Sequence, residues 1–145
     1  GCLEILERSH AYLSHIRGAN THFPYREHDD YIQEKLVKPI EMAAGDAILF
    51  DHRLAHSSSS NLTMKSRLAI GLVFVPREAQ LIHYHFDPDK SEKQLSLYHV
   101  EADFLLKFGL NDDLSQFKPQ MKMDYTNPKL PLENLLMSHH IYNHL

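Results

Sequence analysis

Cysteine is nearly absent: Cys2 is the one thiol in 145 residues. That excludes an internal disulfide framework and any paired-cysteine zinc ribbon. It fits a reducing intracellular compartment, where thiols stay free. Long hydrophobic runs are also missing. None approaches the roughly 20 residues that a membrane helix needs, so a membrane partner is not expected. The amino terminus shows no basic flank leading into an apolar stretch, so no signal peptide is read there. Clustered basic residues are lacking too. Lys and Arg number 15 against 19 Asp and Glu, a formal charge of −4. The basic side chains are scattered, whereas a nucleic-acid footprint needs them gathered on one face. Internal repeats are absent, and Ser57 to Ser60 is the only low-complexity stretch.

What is present suits one globular domain. Apolar residues make up 43% and charged residues 23% of the chain. A chain of this size buries roughly 68–70% of its unfolded surface. Histidine is abundant, with 12 copies, so metal chemistry has to be weighed position by position.

Hydrophobic patterning makes the first half read as short strands separated by turns, the pattern of a sandwich or barrel. Cys2 to Glu7 alternates with Leu3 and Ile5 on one face. Asn20 to Asp30 is polar and reads as a loop. Leu36 to Met42 is a second strand, and Gly45-Asp46 signals a turn before the apolar run Ala47 to Phe50. Ala55 to Ser58 can extend, Asn61 to Ser66 turns, and Arg67 to Val75 has the strongest strand pattern of all. Leu81 to Phe86 is a further strand. Beyond it, Glu101 to Leu110 predicts a short buried helix ending at Gly109. Pro131 to Leu145 predicts another, with Leu132, Leu135 and Leu136 on one face. Prolines 119, 128 and 131 mark an irregular stretch between these helices. The expected organisation is a functional core over residues 1–86 with a tail, 87–145, packing on it.

The chemistry concentrates between Gly45 and Arg67. His56 and Ser58 are two apart, so a strand presents both on one face. A turn near Asn61 reverses the chain, and Arg67 opens the next strand, paired with the first. There Arg67 shares a face with Ala69, Gly71, Val73 and Val75, opposite Leu68, Ile70, Leu72 and Phe74. A buried guanidinium needs an anionic partner, and the small neighbours leave room for a carboxylate ligand. A chelating dicarboxylate fits this arrangement, one end on a metal held by His56 and the other in a bidentate pair with Arg67.

These segments resemble the phytanoyl-CoA dioxygenase family of iron(II)- and 2-oxoglutarate-dependent oxygenases. Gly1-Cys2-Leu3-Glu4-Ile5 followed by Arg8-Ser9-His10 is similar to the family's NGCLxxxPGSH segment, with Glu7 and Arg8 where it has proline and glycine. Gly45-Asp46-Ala47-Ile48-Leu49-Phe50 resembles its GDxxxF strand. His56, Ser58, Asn61, Thr63 and Arg67 resemble HxSGxNxTxxxR, with His56 and Arg67 eleven residues apart, the family's spacing. Serines 57 and 59 stand where the family often has glycine. The resemblance covers about residues 1–77, roughly half the chain.

It implies a mainly β fold, the carboxy-terminal half of a double-stranded β-helix (jelly roll), with a helical carboxy-terminal tail. It implies that His56 is an iron ligand and that Arg67, assisted by Ser58, binds the distal carboxylate of 2-oxoglutarate. The cofactors would be Fe(II) and 2-oxoglutarate, dioxygen the co-substrate, and a small molecule the hydroxylated substrate. The triad needs two histidines and a carboxylate. In the family the H-x-D strand precedes the segment that opens this chain, so the amino-terminal half of the domain is expected as a partner. This chain alone would then be inactive. Two alternatives stay open: a non-catalytic jelly-roll binding module, and a cupin-type metalloprotein that does not use 2-oxoglutarate.

Other motifs read more plainly. His28-Asp29-Asp30 has the H-x-D form but lies in the polar loop. His83, His85 and Asp87 alternate, so a strand would gather them on one face; partly buried or surface histidines are the expected account. Asn61-Leu62-Thr63 matches a glycosylation acceptor but falls in a turn. His10 reads as a structural hydrogen-bonder and Cys2 as a core thiol. His139, His140 and His144 read as exposed, and Phe104, Leu105 and Phe108 as core.

Overall fold

The computed structural model describes residues 2–13, 16–86 and 93–143. The strands are β1 (Leu3–Leu6), β2 (Val37–Ile40), β3 (His56–Ser58), β4 (Ile82–Phe86), β5 (Gln94–His99) and β6 (Met121–Asp124). The helices are α1 (Asp29–Lys35), α2 (Phe104–Lys107) and α3 (Leu132–Asn143). The fold is mainly β, with two antiparallel three-stranded sheets and a carboxy-terminal helix. The chain forms two compact units. One comprises Gly1–His15, Tyr25–Phe74 and Leu130–Leu145, the other Ile16–Pro24 and Val75–Lys129.

In the first unit the sheet order is β2-β1-β3. Ile5 faces Lys38 on one side and His56 on the other, and Glu4 faces Pro39 and Ser57. Alternation puts Leu3, Ile5, His56 and Ser58 on one face. Leu6 points the other way and is buried. Pro39 is tolerated because β2 is an edge strand, where a missing N–H costs no ladder bond. Helix α1 begins inside the stretch read as loop. Asp29 and Asp30 occupy its first turn and Lys35 its last, each matching the sign of the helix dipole there. Ile32 is its one buried residue, too little periodicity for the pattern to announce a helix. In α3, Leu135 is fully buried and Leu132 and Leu136 half-buried, the face that the leucine spacing predicts. His139 is half-buried rather than exposed. Burial lowers its pKa, with Glu7 opposing and Lys38 adding, so α3 lies beside the Lys38–Glu7 ion pair.

The strand expected over Arg67–Val75 does not form. These residues lie outside every ladder. Leu68, Ile70, Leu72 and Phe74 are 96, 89, 71 and 78% exposed. Alternation supplies a face to bury, but a strand also needs a neighbour for its N–H and C=O groups. No described strand takes that place. Ala47–Phe50 stays outside the ladders for the same reason.

The second unit is a β4-β5-β6 meander. β4 therefore pairs with β5, which lies in the expected tail, and β6 is a strand in the stretch read as irregular. One face of this sheet buries Leu95 completely. Gly18 sits against it, and a Cβ there would meet Leu95 Cδ1 at 3.0 Å and the Tyr84 carbonyl at 3.1 Å. The Ala19 N–H donates to the Tyr84 carbonyl at 3.1 Å. Asn20 brackets Phe86, donating from Nδ2 to its carbonyl (2.6 Å) and accepting its N–H at Oδ1 (2.9 Å).

The other face carries His83, His85 and Tyr98, all buried. Phe104 packs on His83 with ring centroids 4.9 Å apart, and Phe108 and Phe117 extend the aromatic cluster. Helix α2 is shorter than expected, and its Leu105 and Leu106 are 65 and 89% exposed. Only Phe104 of that helix is buried, because one helical turn presents one residue inward.

Burial, with His85 adding, lowers the pKa of His83. Unfolding restores the ordinary value of about 6.5. The unfolded chain then binds the proton first on acidification, so stability falls as protons are added. The stabilisation is complete above about pH 6.5 and is lost as pH falls through the lowered native value. Replacing His83 with Phe should flatten this slope in thermal melts taken between about pH 8 and pH 5, which span the imidazole range. An unaltered slope would reject His83 as its source.

Candidate functional site

The site is built from β1, β3 and the turn after β3. The chain reaches β3 through Asp51-His52-Arg53. Arg53 grips the Asp51 carboxylate from its backbone N–H (2.8 Å), Nε (3.1 Å) and Nη2 (2.9 Å). These bonds hold the Asp51 carboxyl well below the usual carboxylate range, with smaller help from the charge of His10. His10 Nδ1 itself is buried and makes no hydrogen bond among the described residues. Cys2 is half-buried, not a core thiol.

His56 follows. Its Nδ1 lies 2.8 Å from the Leu54 carbonyl. A carbonyl oxygen only accepts, so Nδ1 carries the proton and Nε2 keeps a lone pair for a metal. That is the usual way in which a second partner fixes a ligating imidazole. Phe50 closes one side of the ring, edge-on at 5.2 Å. The Gly45–Phe50 segment delivers Phe50 as an irregular run after a turn. In that turn Gly45 is left-handed (φ 98°) and Asp46 Oδ2 accepts the Ala43 N–H at 2.7 Å.

Ser58 shares the His56 face of β3. Arg67 Nη2 donates to Ser58 Oγ at 3.0 Å. The turn between them is stitched by Asn61, whose Nδ2 donates to the Lys65 carbonyl (2.7 Å) and whose Oδ1 accepts from Thr63 N–H (3.1 Å) and Oγ1 (2.8 Å). The Asn61-Leu62-Thr63 signature thus builds a turn. Ser58 and Arg67 meet as the spacing suggests, but both are exposed, so Arg67 is not the buried guanidinium of the sequence reading.

A metal site of two histidines and a carboxylate needs two donors besides His56. Among the described residues, no three His, Cys, Asp or Glu side chains are grouped to hold a metal ion. The described residues do not complete an iron site. His28 ends a 3-10 turn, and Asp29 and Asp30 open α1, exposed. His83 and His85 share a buried face with centroids 5.9 Å apart; Asp87 and His144 lie outside the described residues. No described helix is long and apolar enough to cross a membrane. Ser9 is the residue that sequence reasoning passed over. It is fully buried, and its hydroxyl accepts the Ala55 N–H at 2.7 Å. Its sequence signal is its place in the Arg8-Ser9-His10 segment, directly after the turn that ends β1.

The family model of phytanoyl-CoA dioxygenase (PhyH) matches residues 1–69. Over those residues the family resemblance is established. The match takes in β1, Ser9-His10, Gly45–Phe50, His56, Ser58 and Arg67, and stops somewhat short of the 1–77 span drawn from motifs. Neither the curated proteins nor the solved structures yield a match to the chain.

Proposed function

We propose that this chain is the carboxy-terminal part of a non-haem iron(II)- and 2-oxoglutarate-dependent dioxygenase that hydroxylates a small molecule. One observation carries the reading. An imidazole with its Nδ1 proton tied to a carbonyl, and its Nε2 left to bind, shares a strand face with a hydroxyl–guanidinium pair. His56 holds the iron. Arg67, with Ser58, receives the distal carboxylate of 2-oxoglutarate in a charge-assisted pair. Iron and 2-oxoglutarate bound there would supply the oxidising chemistry, with dioxygen and 2-oxoglutarate giving succinate, carbon dioxide and a hydroxylated substrate. Ser58 and Arg67 orient the cosubstrate, and Phe50 shields one side of the His56 ring.

The remaining iron ligands come, on this reading, from an H-x-D strand encoded upstream of Gly1. The same upstream segment pairs with residues 67–75 and completes a jelly roll. The apolar side chains of residues 68–75, exposed and outside every described ladder, support this.

The test is succinate formation by a polypeptide extended upstream of Gly1, supplied with Fe(II), 2-oxoglutarate and dioxygen. Succinate that depends on both additions is the expected result. Metal-independent binding of 2-oxoglutarate without succinate would replace this reading by the non-catalytic binding module.

A further inference from the structure

We infer that Ser9 is a positioning residue for His56, acting through the Leu54–Ala55 peptide plane. The inference rests on the reading of His56 as a ligand, and its geometry is independent of any metal. The Leu54 carbonyl that receives His56 Nδ1–H and the Ala55 N–H that donates to Ser9 Oγ belong to one peptide group. A peptide group is a rigid plane. Anchoring its N–H therefore fixes the direction of its C=O, and that carbonyl selects which imidazole nitrogen carries the proton.

The anchor is held firmly. Ser9 is fully buried and opens a 3-10 turn over Ser9–Ala11. Its own carbonyl accepts the Leu13 N–H at 2.8 Å. Arg8 enters that turn in the left-handed region (φ 56°), the position where the family segment has glycine. The next peptide is also tied, since the Leu6 N–H donates to the Ala55 carbonyl at 2.9 Å. Both backbone polar groups of Ala55 are thus held by β1 and the turn after it. Donor and acceptor in series polarise one another, so the Ser9 bond and the His56 bond act on the same peptide group.

The experiment reads the tautomer of His56 by nitrogen-15 NMR of the chain without metal or 2-oxoglutarate. The spectra are taken at alkaline pH, on the neutral form of the ring. The unaltered protein should show the Nδ1–H form. Ser9→Ala should convert His56 to a mixture of both tautomers, while Ser9→Thr, which keeps the hydroxyl, should retain the Nδ1–H form. A folded Ser9→Ala protein whose His56 keeps the Nδ1–H form overturns the proposal. Should that variant fail to fold, hydrogen exchange of the Ala55 amide in the unaltered protein decides. Protection supports the clamp, and exchange as fast as the exposed Ser59 and Ser60 amides overturns it. The succinate assay tests the catalytic reading separately, so failure of one is not failure of the other.

Discussion

Replacing His56 with alanine in the upstream-extended polypeptide should reduce iron-dependent succinate formation to background. On the proposed reading the substitution removes an iron ligand, and among the described residues no three His, Cys, Asp or Glu side chains are grouped to hold a metal ion in its place. Stability should change little by comparison. The ring makes one hydrogen bond to the Leu54 carbonyl and one edge contact to Phe50. Each is worth about 0.5–1.5 kcal/mol. A large loss of turnover with a modest shift in melting temperature therefore separates a ligand from a packing residue. Retained turnover would remove His56 from the metal site.

Arg67→Ala should act on the cosubstrate. A hydrogen bond to a charged group contributes about 1.5–3 kcal/mol, and about 1.4 kcal/mol corresponds to a factor of ten. The 2-oxoglutarate concentration for half-maximal turnover should thus rise by roughly ten- to a hundredfold. Turnover at saturation should change much less, because the distal carboxylate lies away from the reacting carbon. Arg67→Lys should recover only part of the loss, since it keeps the charge without the planar fork. An unchanged dependence on 2-oxoglutarate would end the assignment and favour a cupin-type site that has no use for it. The exposure of Arg67 makes a folding explanation weak.

Much of this architecture is legible in the sequence where the signal is local. The alternation around Leu3 and Ile5, the turn at Gly45-Asp46, the short strand at His56 and the leucine face of α3 all follow from neighbouring residues. The same is true of the shared face of His56 and Ser58 and the return of Arg67 through the Asn61 turn. The misses are non-local. Residues 67–75 have the right alternation, yet a ladder also depends on a partner. β6, with Lys122 and Asp124, lacks any apolar run and is made a strand by pairing with β5. The Ser9 clamp joins residues 46 positions apart, a distance that no periodicity reports.

Asn20 bears on how copies of the protein avoid one another. An open sheet edge is a template on which another chain can polymerise. Along the outer side of β4 the Tyr84 carbonyl is taken by Ala19, and both backbone groups of Phe86 are taken by the Asn20 side-chain amide. One carboxamide thus stands in for a length of strand. An incoming chain finds these donors and acceptors already engaged.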